Sequence, residues 1–224
     1  MISVSSLRLD RLREAARDLR FLLNRGYPKE RATDFAAGRY LLRKSERNAI
    51  YRSVFSDRAI RATRAKRVGP HAMRDRPASV DGFNVVNTLL SIQAGGPLIL
   101  CDDGVVRDIT AVHGRFRLTP QALEAAADMV ETLGSLGVSR ATVYYDAQIS
   151  RSGDMASATR SIMEERGLNG LCSTERSVDH AIAKDRAVAV TSDSAILARV
   201  DSFFDLPAYV AKKRSLSRLI ISIS

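Results

Sequence analysis

The sequence predicts an α/β protein: a small, basic all-α domain followed by a larger domain built on a parallel sheet. Three observations carry this. Apolar residues recur at helical spacing in residues 7–25, and two further helical stretches follow at short intervals. Beyond residue 78, short apolar, strand-like runs alternate with helical stretches, the pattern of a parallel sheet with crossover helices. The charge changes sign at the same place. Residues 1–78 carry 20 Lys+Arg against 8 Asp+Glu, and residues 79–209 carry 11 against 17.

In residues 7–25, Leu12, Ala15, Ala16, Leu19, Leu22 and Leu23 form one apolar stripe, and Gly26 is the natural stop. Pro28 suits the first turn of a second helix over 28–42. Ser45 is a cap for a third, in SERNAIYRSVF. Residues 1–56 are therefore expected to form the basic helical domain. Residues 57–78 hold seven basic residues, one glycine and two prolines, and read as a basic linker. The sheet domain is expected over 79–209, and a basic tail over 210–224.

Within the sheet domain, VDGFNVV (80–86) leads from an apolar strand into a helix that ends at Gly95-Gly96. PLILC (97–101) reads as a short buried strand, and VVRDI (105–109) as a continuing hairpin or a loop. Thr119 caps the helix PQALEAAADMVETLGSLG. ATVYYD (141–146) is a strand, and residues 153–167 are a helix stopped by Gly167. A short strand near LCST (171–174) precedes a polar turn through Asp179. RAVAVTSD (186–193) is a strand, and SAILARV opens a helix.

The composition narrows the function. With 224 residues, 45% hydrophobic and 27% charged, the chain reads as a soluble globular protein. The start MISVSSLRLD has no leader-like apolar run, and the longest apolar runs fall short of a membrane span. Cys101 and Cys172 sit in apolar contexts without paired spacing, and with three histidines they make no zinc pattern. A reduced, cytoplasmic protein is expected. No GxxxxGK[ST] occurs, which argues against a P-loop ATPase.

The net charge of +10 comes mostly from arginine, the better bidentate partner for phosphate. Candidate nucleic-acid contacts are Arg39, Arg43, Lys44, Arg47 and Arg52 in the helical domain, and Arg61, Arg64, Lys66 and Arg67 beyond it. Tyr27, Tyr40 and Tyr51 are able to stack on bases, but their place in helices favours core packing.

Carboxylates recur where strands end. Val80-Asp81, Leu100-Cys101-Asp102-Asp103, Tyr145-Asp146 and Thr191-Ser192-Asp193 each follow an apolar run. In an open parallel sheet these ends share one edge, where ligands bind. Carboxylates gathered there repel one another unless a hard cation holds them, and Mg²⁺ or Mn²⁺ takes oxygen ligands and keeps waters for substrate phosphates. Each residue also has a plainer reading. Asp81 and Asn84 suit a turn and a helix cap, Asp193 suits the cap of SAILARV, and Asp102-Asp103-Gly104 suits a tight turn.

Asp81-Gly82-Phe83-Asn84 resembles the opening DGxN motif of the NYN branch of PIN-like ribonucleases. Asp146 at the end of a middle strand is similar to an acidic position of that superfamily. Val178-Asp179-His180-Ala181-Ile182 resembles its acid opening a helix after a polar turn. Thr191-Ser192-Asp193-Ser194 resembles its S/T-x-D-S motif. This resemblance covers roughly residues 79–205. The whole chain, including RDLRFLLNRGY and GRYLLRKSERNAIYR, also resembles an uncharacterised prokaryotic family with a separate helical front domain.

The resemblance implies a Rossmann-like PIN/NYN fold, a Mg²⁺ or Mn²⁺ cofactor and cleavage of RNA. Asp81, Asp146, Asp179 and Asp193 would ligate metal directly or through water, with Asp102 and Asp103 as further candidates. Asn84 would orient substrate or water. The position two residues after Asp193, acidic in that superfamily, is Ala195 here. That departure implies a second reading, a catalytically inactive RNA-binding or accessory module. A third reading is a haloacid-dehalogenase-like phosphatase, which LILCDDGV and TSDS resemble, although its nucleophilic aspartate would fall on Cys101. His113 and His180 lie near these segments, but a lone histidine is more often a surface or packing residue.

Overall fold

The computed structural model describes residues 7–108 and 116–223. Four helices come first: α1 (Leu9–Asn24), α2 (Lys29–Arg39), α3 (Lys44–Ser53) and α4 (Asp57–Lys66). The first three bury the expected stripe. Leu12, Ala15 and Leu19 of α1 pack with Ala32 and Ala36 of α2 and Ala49 and Ile50 of α3. Buried Glu46 accepts hydrogen bonds from the Arg8 guanidinium and from the backbone N–H groups of Arg8 and Arg43. The Arg8 hydrogen bond holds its carboxyl down at about 2.

Helix α4 corrects the expectation of a linker over 57–78. None of its residues is fully buried, and only Ala59 and Ile60 pack partly against the helical core, so its apolar face is slight. Ser56 caps its start by accepting from the Ala59 N–H at 3.3 Å. The basic side chains at its end reach backbone carbonyls elsewhere. Arg64 donates to Asp102 O at 2.7 Å, Arg67 to Gly104 O at 2.6 Å, and Lys66 to Leu197 O at 3.0 Å and Ala198 O at 3.1 Å.

The chain continues through β1 (Pro77–Asp81), α5 (Gly82–Gln93), β2 (Leu98–Leu100), β3 (Val106–Asp108) and α6 (Pro120–Ser135). Next come β4 (Arg140–Asp146), α7 (Ser152–Glu165), β5 (Gly170–Glu175), α8 (Val178–Lys184) and β6 (Val188–Val190). The last elements are α9 (Ser194–Arg199), β7 (Phe203–Phe204), α10 (Leu206–Lys213) and β8 (Ile220–Ser222). Five strands form one parallel sheet in the order β5-β4-β1-β6-β7. This is the predicted α/β, Rossmann-like architecture behind a helical front. Val80 of the central strand pairs with Val143 and Val190, and all three are fully buried. Because the strands are parallel, their C-terminal ends share an edge.

The glycine of VDGFNVV is set by space. A Cβ on Gly82 would lie 2.5 Å from the ring of Tyr145. Tyr145 is fully buried, its hydroxyl lies 2.8 Å from Thr159 Oγ1, and its ring meets Phe83 edge-on at 4.8 Å.

Strand β2 does not join this sheet, which corrects the expectation that Asp102 and Asp103 share its edge. It forms a separate sheet in the order β3-β2-β8, antiparallel to β3 and parallel to β8. Its alternation explains why. Leu98 packs into the core of the main domain, whereas Ile99 and Cys101 pack into the helical core. The expected tail over 210–224 is likewise structured. It completes α10 and supplies β8, and Ile223 enters the helical core. No helix among the described residues is long and apolar enough to cross a membrane.

Both acids of this segment are held by arginines. Buried Asp102 meets Arg20 at 2.6 Å and accepts from the Phe55 N–H at 3.1 Å, while its own N–H donates to Ser53 O at 2.9 Å. Asp103 binds Arg107 through two bonds of 2.8 and 2.7 Å and accepts from the Val105 N–H at 3.1 Å. The lone pairs of Asp102 serve domain docking and those of Asp103 hold Arg107 within the hairpin, and this removes both from the candidate metal ligands.

Two outcomes are expected. Asp102→Ala strips Phe55 of its acceptor and Arg20 of its counter-charge, and lowers unfolding free energy by about 3 kcal/mol in urea titration. Gly82→Ala forces the Tyr145 ring to shift and costs about 1–3 kcal/mol in the same measurement.

Candidate functional site

Asp81 ends the central strand and caps α5, accepting from the Asn84 N–H at 3.3 Å. Its other oxygen accepts from Thr191 Oγ1 at 3.1 Å. Thr191 Oγ1 in turn accepts from the Asp193 N–H at 3.0 Å. Asn84 sits on the first turn of α5, and its Oδ1 takes two donors, the Ser192 N–H at 2.8 Å and the Ser192 hydroxyl at 2.9 Å. The DGxN segment and the TSDS turn are thus interlocked. Asn84 acts as the clamp between them, and its oxygen is committed to Ser192.

Burial pushes the Asp81 carboxyl up to about 7, and the charges of Asp193 and Asp179 push the same way. Asp193 is exposed at the start of α9, where it accepts from the Ala195 N–H at 2.7 Å. Asp179 is half-buried in the first turn of α8. These three acids are the ones whose fields meet. Asp146 ends the neighbouring strand, but its Oδ1 accepts from the Gln148 N–H at 2.8 Å and shapes the following turn. His180 is exposed on α8. His113 lies outside the described residues.

A cleft of about 410 Å³ opens beside these groups. Asn84, Asp193 and Arg107 line one side, and Lys29, Arg47 and Arg52 of the helical front line the other. Arg47 is paired with Asp34 at 2.6 Å and Glu30 at 3.4 Å, and Arg107 is held by Asp103. The other predicted cations are dispersed. Arg39 lies 3.6 Å from Asp18, Arg43 caps α3 through its backbone, and Lys44 and Arg61 are exposed. Arg64, Lys66 and Arg67 form the clasp from the end of α4. Tyr40 donates to Asp18 at 2.9 Å, whereas Tyr27 and Tyr51 are exposed instead of entering the helical core. The residue missed in the sequence is Lys29, an isolated lysine beside a proline with no motif to mark it.

The donor set suits a hard cation in its chemistry. Asp81, Asp179 and Asp193 offer carboxylate oxygens, and a cation beside them would return Asp81 to its ionised form. Among the described residues, no three His, Cys, Asp or Glu side chains close into a ready ligand cage. Mg²⁺ and Mn²⁺ complete their shells with water and substrate oxygens, so a partial protein shell is compatible with them.

Residues 70–209 match the family described as Domain of unknown function (DUF5616), and residues 11–66 match Protein of unknown function (DUF434). The chain belongs to the DUF5616 family. The uncharacterized protein MJ0935 of Methanocaldococcus jannaschii is 32% identical over 186 residues, spanning 83% of this chain and 88% of that protein. No solved structure matches the chain. The DUF434 match ends at Lys66, where α4 ends. The fourth helix therefore goes with the helical front of this DUF5616 protein.

The raised Asp81 carboxyl makes a pH prediction. Its value rises on folding from 3.8 to about 7, so the folded state binds that proton more tightly. Its contribution to stability is full below about pH 4 and is lost as pH climbs to about 7. Thermal melts without divalent ions should show stability falling over that window, by up to about 1.4 kcal/mol per pH unit. Asp81→Asn should flatten this part of the profile.

Proposed function

We propose that this DUF5616 protein is a divalent-metal-dependent ribonuclease of the PIN/NYN type, acting on structured or processed RNA in the cytoplasm. The observation that carries the reading is the juxtaposition in one cleft. Asp193 lines the cleft opposite Lys29 and Arg52 of the helical front, and behind it the buried Asp81 carboxyl is raised by desolvation and by the charges of Asp193 and Asp179. Acids that need a cation, placed opposite cations that need an anion, suit a phosphodiester with Mg²⁺ or Mn²⁺. Asp81, Asp179 and Asp193 would hold the ion, and the ion would stabilise charge on the phosphate and supply activated water. Asn84 fixes the TSDS turn, so its role is positioning. Asp146 is a weaker candidate, reaching the ion through water. The two buried free cysteines accord with a reducing compartment.

Ala195 supports a second reading, a module that binds RNA without cutting it. The exposed start of α9 carries Asp193 as an acid but has no second carboxylate at that position. The phosphatase reading loses its nucleophile. Cys101 is buried with its thiol pushed up to about 11 by desolvation, and Asp102 and Asp103 are bound to arginines.

The wild-type chain is expected to cut RNA with Mn²⁺ or Mg²⁺. Asp81→Asn should lose about a hundredfold or more of that rate while RNA affinity holds. Salt-sensitive RNA binding with no cleavage under any divalent ion decides for the binding module. Absence of both binding and cleavage sinks both readings.

A further inference from the structure

The helical front places two cations in the cleft, Lys29 and Arg52, that form no ion pair among the described residues. Lys29 is the first residue of α2, and its ammonium lies in the cleft, 3.6 Å from the ring centroid of Phe55 and 5.2 Å from that of Tyr51. Among the described residues it forms no ion pair, whereas Arg47 and Arg107 in the same cleft are both paired. Arg52 also lines the cleft and has no carboxylate partner among the described residues. Across the opening lie Asn84, Ser192, Asp193 and Ser194, and Glu30, which pairs with Arg47, lines the same wall as Lys29.

An unpaired cation against aromatic rings and beside a buried arginine is poorly solvated. Burial, followed by the charge of Arg107, draws the Lys29 ammonium down to about 8. An anion in the cleft would relieve both effects. It has room there, and Arg52 supplies a planar fork matched to phosphate oxygens.

We infer that Lys29 and Arg52 form a phosphate-binding subsite, through which the helical front completes the cleft at the sheet edge. The ligand is a phosphate group, either the backbone of RNA or a free phosphate. Its assignment to RNA rests on the ribonuclease reading, but the subsite itself stands on the two unpaired cations. It also gives the helical front a task. That unit is one wall of the site, not a separate RNA platform.

The chain has six lysines, which makes reductive ¹³C-methylation of the full-length protein informative. The modification keeps the charge, and Lys29→Arg identifies the Lys29 signal by its disappearance. Spectra are recorded with a chelator, so that no cleavage occurs, while inorganic phosphate or a short single-stranded RNA is added. The Lys29 signal should shift with RNA, with phosphate, or with both. A response to RNA at far lower concentration assigns the phosphate to nucleic acid, and a response to inorganic phosphate alone assigns the subsite to a free anion. The double variant Lys29→Gln/Arg52→Gln should weaken the affinity for the responding ligand about tenfold or more. A Lys29 signal indifferent to both ligands overturns the inference, as does a folded double variant of unchanged affinity. Failure of metal-dependent cleavage would sink the ribonuclease reading and leave this result standing.

Discussion

Arg107 is the group on which the arrangement turns. Its guanidinium is buried, grips Asp103 through two hydrogen bonds, donates from Nε to Ser192 O at 2.7 Å and lies 5.0 Å from the ring centroid of Phe55. One side chain therefore touches the β2–β3 hairpin, the TSDS turn and the end of α3. A guanidinium stays charged even when buried, so its burial is tolerated only where carboxylate and carbonyl oxygens surround it. That requirement fixes the hairpin against the turn, and the turn in its place beside Asp81. Asp102 repeats the logic one residue earlier, with Arg20 and the Phe55 N–H as its partners.

The docking decides what the cleft contains. The small sheet presents Leu98 to one core and Ile99 to the other, so it is a shared wall and not an appendage. With the helical front held there, Lys29, Arg47 and Arg52 face Asn84 and Asp193. Arg47 is cancelled by Asp34 and Glu30, whereas Lys29 and Arg52 look across a water-accessible space toward Asp193. Such an arrangement leaves room for a ligand that carries both signs, an anion with its cation. The clasp from Arg64, Lys66 and Arg67 to backbone carbonyls closes the same joint from the far side.

Much of the fold was legible in local patterns. The stripe through Leu12, Ala15 and Leu19 marks a helix because neighbouring turns must bury one face. The apolar runs ending at Asp81, over 141–146 and over 186–193 mark strands of a parallel sheet. Helix α4 was hidden because its apolar face is short, with Ala59 and Ile60 only partly buried, and its other contacts are made by the ends of long polar side chains. The short strands β2 and β8 were hard to place for another reason. Three-residue strands carry too little pattern to say which sheet they join, and β2 and β8 pair from far apart in the chain.

The sequence by itself determined the α/β class, the helical front and the presence of acids at the ends of β1 and β4 and in the turn after β6, because period and strand-end chemistry are local. Only the tertiary structure decided which of these acids are paired with arginines and which are not. Asp81 lies within the fields of Asp179 and Asp193, Asp146 accepts from the turn that follows it, Asp102 is taken up in docking, and Asp103 is held by Arg107 of its own hairpin. A carboxylate's role depends on what lies within about 3 Å of its oxygens. For Asp102 that partner is Arg20, 82 residues away along the chain.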